Sequence, residues 1–261
     1  DGKQVAFISH RLGSDDVWVL DMESGRQTAL LATPARELYP RFSRDGRLLA
    51  YTSFQDGKRS IFLKQTDSGL TRQLCEDCGI ARDLSADGRF VLVQTGRVPH
   101  VNLLEVEGGA SRTIYRHPRF PIYAPRFSPG QNWVAFQMIE HPGARRILAA
   151  PFRNGADAPE SEWISITDGK SMDRNPFWSP DGKLIYFVSE RDTFRCVWAQ
   201  RVDGATKRPL GEAFAVTHFH DPVRSMMNLE GPGQVSLTVA ADAMVFALGE
   251  RSGNLWLAET Q

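Results

Sequence analysis

The sequence has no excess of charge of either sign: 31 lysines and arginines stand against 31 aspartates and glutamates. Proteins that hold nucleic acid or an anionic membrane usually carry a basic surplus, so the balance argues against both as the main partner. No run of about 18 apolar residues occurs, so no membrane-spanning helix is expected. A helix-length amphipathic pattern is also missing. There is no signal peptide, but the chain begins at Asp1 rather than at methionine, which leaves the compartment open. Cysteine is scarce, and three residues make no disulfide framework. Cys75 and Cys78 form a CEDC pair with no second CxxC or CxxH to complete a zinc site. The pair reads as two thiols at a strand end, as a local disulfide if the compartment is oxidising, or as a metal or redox element. No G-x-S-x-G elbow, Gly-rich nucleotide loop, HRD or DFG motif is present, so neither a Ser–His–Asp hydrolase nor a kinase is encoded in these residues. Acidic residues are plentiful, but no carboxylate pair stands out as a glycosidase centre. No catalytic residue, cofactor or metal is assigned.

What the chain does have is a repeat. An Asp-Gly turn recurs at Asp1-Gly2, Asp45-Gly46, Asp87-Gly88 and Asp181-Gly182, with decayed copies at Gly130-Gln131 and Asp242-Ala243. The period is in the low forties, stretched by insertions before the last two copies, which is the length of a four-stranded propeller blade. A short strand precedes each turn and ends at Phe42, Leu84, Phe127, Trp178 or Val239. A near-continuous apolar strand follows it, such as LLAYTS, FVLVQT, WVAFQM or LIYFVS. A third strand carries Trp18, Phe62, Asn102, Leu148, Trp198 or Trp256 at its second position, and a more polar fourth strand closes the unit. Apolar strands covered on both faces suit blades packed face to face, and the recurring aromatic of the third strand is expected to wedge between them.

The fold predicted is therefore all-β: a propeller of six four-stranded blades, with seven compatible. The blades fall at about 1–32, 39–76, 81–117, 124–168, 175–220 and 235–261, as a single domain. Residues 1–31 supply strands two to four of a blade, and 235–260 supply strands one to three. The ring is expected to close with strands from elsewhere in a longer protein.

The pattern Pro-x-Trp/Phe-Ser-Pro-Asp-Gly-Lys/Arg, fullest at 176–189 and repeated at 40–53 and 125–136, resembles the repeat of the TolB-like propellers. The Gly-His and Trp-Asp signatures of WD repeats are missing. Residues 189–220 and 245–259 also resemble the C-terminal propellers of bacterial (acidobacterial-type) serine/threonine kinases and related regulators. The resemblance implies a non-enzymatic module for ligand sensing or protein interaction within a larger signalling protein, on the extracytoplasmic side. The partner would be a protein, a peptide or a small anionic ligand. The alternatives are an accessory propeller of a prolyl-oligopeptidase-type hydrolase and a free periplasmic TolB-like protein.

The site residues proposed are His218, His220, Arg224, Arg174 and Arg191. The two histidines stand two apart in an extended segment, so both rings point to one face. No third metal ligand is identifiable, and they read as hydrogen-bonded structural residues or as ligand contacts. The tips between second and third strands bring Arg11, Arg59, Arg97, Arg145, Arg191 and Arg251 to one rim, mixed with Asp15, Asp56, Glu140, Glu190 and Glu250. That rim is either a solvated surface or a funnel mouth that reads a carboxylate through arginine. The Ser-Pro-Asp-Gly turns, repeated around the chain, are expected to be structural.

Overall fold

The computed structural model describes residues 2–221, 224–226, 237–240 and 243–250. Nearly all regular structure is β; the described residues hold one short 3-10 turn, Glu160–Glu162. The first blade pairs Gln4–Ser9, Asp16–Asp21 and Gln27–Leu31. The second comprises Arg36–Phe42, Leu48–Gln55, Lys58–Gln65 and Thr71–Cys75. The third comprises Ile80–Leu84, Phe90–Thr95, His100–Glu105 and Ser111–Tyr115. The fourth runs Ile122–Phe127, Trp133–His141, Ala144–Pro151 and Ile164–Ser165, and the fifth Arg174–Trp178, Leu184–Ser189, Cys196–Arg201 and Phe214–Thr217. Within each sheet, strands follow chain order and pair antiparallel.

The described residues thus form five blades, the first of them three-stranded, and not the six expected. Beyond the fifth, Arg224–Met226 pairs with Leu248–Glu250, and Leu237–Val239 with Met244–Phe246, as two separate two-stranded sheets. The reason lies in a kink common to the first strands. Their register against the second strand shifts between Leu38 and Arg41, Tyr123 and Arg126, and Arg174 and Phe177. Tyr39, Ala124 and Asn175 take positive φ values of 58°, 50° and 51° at that place, as a β-bulge requires. In the last unit ten residues separate Met226 from Leu237 where the bulges have two, and the pairing is divided between two sheets. The third strand expected there, with Trp256, and the turn at Asp242 lie outside the described residues.

The turns repeat atom for atom. In the second blade Ser43 Oγ donates to Asp45 Oδ1 at 2.6 Å, the same carboxylate accepts Arg47 N–H, and Ser43 Oγ accepts Leu48 N–H. Ser85/Asp87 and Ser179/Asp181 make the same three bonds. The decayed copy keeps the Ser128 bond to Trp133 N–H, with Asn132 replacing the aspartate and Gln131 held at φ 55° where the others have glycine. A side-chain bond set that closes the tight turn in three blades, and survives in part in a fourth, is a structural device.

Blade packing corrects one expectation. The wedge is carried by the second strand, whose Tyr51, Val93, Phe136 and Phe187 are buried. Their cross-strand partners on the third strand are Phe62, Asn102, Leu148 and Trp198, and of these only Leu148 is buried. The second and third strands of a blade are each paired on both sides, so pairing does not separate them; burial does, and at this level it falls on the second strand. Phe136 stacks on Tyr115 of the preceding blade at 5.5 Å and meets Trp163 edge-on at 5.0 Å. Tyr115 in turn donates its hydroxyl to Pro151 O of the fourth blade. Cys75 and Cys78 are disulfide-bonded, with Cα atoms 6.0 Å apart, which selects one of the three readings of CEDC.

Candidate functional site

Antiparallel blades place the first-to-second turns on one face of the disc and the second-to-third tips, with the connections between blades, on the other. On the turn face, a cavity of about 500 Å³ is lined by the ends of the first strands and by Gln4–Ala6, Leu237–Ala240, Ala243 and Val245. Phe42, Leu84, Phe127, Phe177 and Trp178 form its apolar wall, and its charged groups are Arg41, Arg44, Arg126 and a single acid, Asp83. Asp83 accepts the Phe127 N–H at 2.8 Å. Burial pushes its carboxyl above the usual range although Arg126 and Arg41 pull the other way. The sequence pointed instead to the tip face as the mouth of the funnel; this cavity opens on the face of the structural turns.

On the tip face, the proposed arginines are engaged with carboxylates of their own chain. Arg174, at the start of the fifth blade and only 3% exposed, meets Glu190 at 2.9 Å. Arg195 Nε donates to the same Glu190 oxygen at 2.8 Å. Arg145, on the tip of the fourth blade, is bonded through its backbone to Ser171 at the entry to the fifth. Burial lowers the Arg145 pKa, with Glu190 opposing and Arg195 adding to the fall. Burial likewise brings Arg174 down to about 10, and the neighbouring Arg145 and Arg195 charges contribute. Two guanidinium groups therefore meet one carboxylate oxygen, with the Arg145 charge nearby. Arg191 donates to both oxygens of the fully buried Asp173, at 3.1 and 3.2 Å, while its guanidinium lies over Trp198. Arg224 is exposed and stands 3.7 Å from Glu250.

His218 and His220 follow the last strand of the fifth blade and are half-exposed. They converge on the hairpin tip of the same blade. His218 Nδ1 is 3.1 Å from Asp192 Oδ2, His220 Nε2 is 3.0 Å from that oxygen, and the two ring nitrogens are 3.1 Å apart. The buried Cys196 completes a group of four donors lying within 4.8 Å of one another, and its sulfur accepts the Phe219 N–H at 3.4 Å. Phe194 stacks on His220, and Trp198 meets His218 edge-on. Burial opposes ionisation of Asp192, but hydrogen bonds from His220 and Cys196 outweigh it and hold the carboxyl below the usual range. The Cys196 thiol is pushed up by burial and by Asp192. This donor set is of the kind that takes a transition metal.

The structure brings His218 and His220 together and sets Arg174 and Arg191 on the adjoining tip. Asp192, Cys196, Arg195 and Asp173 were not among the five residues proposed. The available signal was the acid–x₃–cysteine spacing across the tip, but nothing in one dimension shows that the tip folds onto the 218–220 segment.

No family model matches the sequence. The chain is 25% identical over 225 residues to tricorn protease homolog 1 of Streptomyces coelicolor, a match covering 79% of this chain and 20% of that protein. It is 23% identical over 197 residues to the uncharacterized peptidase YuxL of Bacillus subtilis, covering 72% of this chain and 28% of that one. The chain thus spans less than a third of either relative. Among solved structures, TolB from Acinetobacter baumannii superposes with a TM-score of 0.70 at 17% identity, over 95% of this chain and 61% of that one. The fold is a TolB-like β-propeller.

Proposed function

We propose that this propeller is a non-enzymatic interaction module of a larger protein and reads an anionic group of a peptide, protein or small molecule on its tip face. The observation that carries the reading is that Arg174 and Arg195 meet the same oxygen of Glu190, with the partly buried Arg145 charge close enough to be felt by both Glu190 and Arg195. Buried like charges raise the energy of the unliganded rim, and a second carboxylate or a phosphate relieves it. Arg191, His218, His220 and Arg224 border the same face and are the remaining contacts proposed. The parent protein in this reading is a bacterial signalling protein, a serine/threonine kinase or a transcriptional regulator, with the propeller on the extracytoplasmic side. The Cys75–Cys78 disulfide supports an oxidising compartment.

Calorimetric titration with succinate, phosphate and a pair of otherwise identical peptides, one with a free and one with an amidated C-terminus, tests this function. Binding of at least one anion, weakened roughly tenfold or more by Arg145→Gln with Arg195→Gln, is the expected result. Heats no greater than those of sodium chloride at equal ionic strength overturn it.

A second reading has its own support. The matches to tricorn protease homolog 1 and YuxL cover most of this chain, which favours an accessory propeller beside a hydrolase domain. A G-x-S-x-G hydrolase domain in the same polypeptide decides for this reading, and a kinase signature decides for the first.

A further inference from the structure

The cluster Asp192, Cys196, His218 and His220 has a bonding problem that protons cannot solve. Three acceptor-capable atoms, Asp192 Oδ2, His218 Nδ1 and His220 Nε2, form a triangle with edges of 3.0, 3.1 and 3.1 Å. Each edge is a hydrogen bond only if one end carries a proton and the other a lone pair. A proton on His218 serves its edges to His220 and Asp192, and leaves His220 and Asp192 facing each other lone pair to lone pair. A proton added to either of those two atoms turns another edge into a donor–donor contact. Moving the first proton to His220 or to Asp192 only moves the conflict, because a cycle of three cannot alternate donors and acceptors. Asp192 Oδ1 adds to the account: it is buried with no hydrogen-bond partner.

A cation resolves all three edges at once, since each atom then directs a lone pair inward. For edges near 3 Å and bonds of 2.0–2.1 Å, the ion stands about 1 Å off the plane of the triangle, as at the apex of a flattened tetrahedron. Cys196 Sγ lies within 4.8 Å of all three atoms and supplies a soft fourth donor from the buried side. A backbone N–H already points at that sulfur from Phe219, between the two histidines, which is the outer support a thiolate ligand needs. Two imidazoles, one carboxylate and one thiolate suit zinc rather than magnesium or calcium, which prefer oxygen.

We propose that Asp192, Cys196, His218 and His220 form a zinc site, which clasps the hairpin tip of the fifth blade to the segment leaving its last strand. The proposal does not depend on the anion-reading function. Both histidines are half-exposed, so the ion exchanges from solvent.

The test is a titration of the chelator-treated, unreduced protein with Co(II), followed in the visible and near ultraviolet. One equivalent is expected to bind with the d–d bands of four-coordinate cobalt and a thiolate-to-cobalt charge-transfer band, and Zn(II) should displace it. Cys196→Ala should abolish the charge-transfer band. His218→Gln with His220→Gln, at exposed positions that leave the core intact, should weaken binding by more than about a hundredfold, beyond the loss usual for an outer-sphere contact. Cys75→Ser with Cys78→Ser should change neither band nor affinity. Absence of stoichiometric binding, a charge-transfer band that survives Cys196→Ala, or one that vanishes with the Cys75/Cys78 variant overturns the assignment. Should Cys196→Ala fail to fold, the histidine pair decides alone: unchanged affinity refutes the site.

Discussion

Phe136→Ala is the sharpest test of how these blades are held together. The ring is fully buried on the middle strand of the fourth blade and packed against the third. It stacks on Tyr115 at 5.5 Å and meets Trp163 at 5.0 Å. Truncating a buried phenylalanine costs about 3–5 kcal/mol, counting the lost burial and the cavity left behind. The two aromatic contacts place this site at the upper end, since each such pair is worth roughly 0.5–1.5 kcal/mol beyond its area. The cavity collapses little, because paired strands on either side of Trp133–His141 hold the backbone in place. For a domain of this size each kcal/mol moves Tm by roughly 2–4 °C, so a fall of about 10–20 °C is expected. Differential scanning calorimetry reads it, with Phe136→Leu as a control that keeps most of the volume and should cost only about 1 kcal/mol. A fall below about 3 °C for the alanine variant would refute the assignment of the second strand as the inter-blade wedge.

Trp198→Ala, at the half-buried partner of Phe187, should cost only about 1–2 kcal/mol; a loss equal to that of Phe187→Ala would return the wedge to the third strand. Asp45 and Asp181 have carboxyls held below the usual range, chiefly by the hydroxyls of Ser43 and Ser179. Their folded pKa values lie under the unfolded one, so the stabilisation is complete above the ordinary aspartate range and is lost as pH falls through the folded values. Asp45→Asn with Asp181→Asn should flatten the acid limb of a Tm-against-pH curve, and an unchanged limb contradicts the turn chemistry. Asp83 has the opposite sign: its raised pKa makes the native state hold the proton, so its contribution falls as pH rises through that value. Asp83→Asn should therefore raise Tm at pH 7 relative to wild type more than at pH 4. Thiol counting on denatured, unreduced protein should find the single thiol of Cys196; three would show that Cys75 and Cys78 are not bonded.

The blade was legible because its determinants are local. A serine, an aspartate and a glycine within four residues close the turn in three blades through bonds to one another and to the next two backbone N–H groups, and the apolar strand that follows is uniform because both of its faces are covered. Such a unit can be counted along the chain, and five of the counted copies are blades in the structure. The sixth was overcounted: Arg224–Met226 and Leu237–Val239 pair in two separate two-stranded sheets rather than in one blade, and sequence alone reads the stretch before Leu237 as a connection between blades. The recurring tryptophan misled for a related reason. Periodicity reports that a position recurs in each blade, but its burial depends on how that blade packs against the next, which the repeat does not report.

The candidate sites were legible in part. His218 and His220 share a face because two residues apart on an extended chain always do. That Asp192 and Cys196 meet them depends on a hairpin tip folding back over a strand end some 26 residues away. Arg174 and Arg191 were visible as charges, but not the carboxylates of Glu190 and Asp173 that hold them. Sequence by itself determined the strands, the turns and the blade repeat, since these rest on contacts within a few residues. Tertiary structure alone decided which side chains converge, because a cluster drawn from separate strands and tips is fixed by how the blade closes and packs, and no single segment encodes that closure.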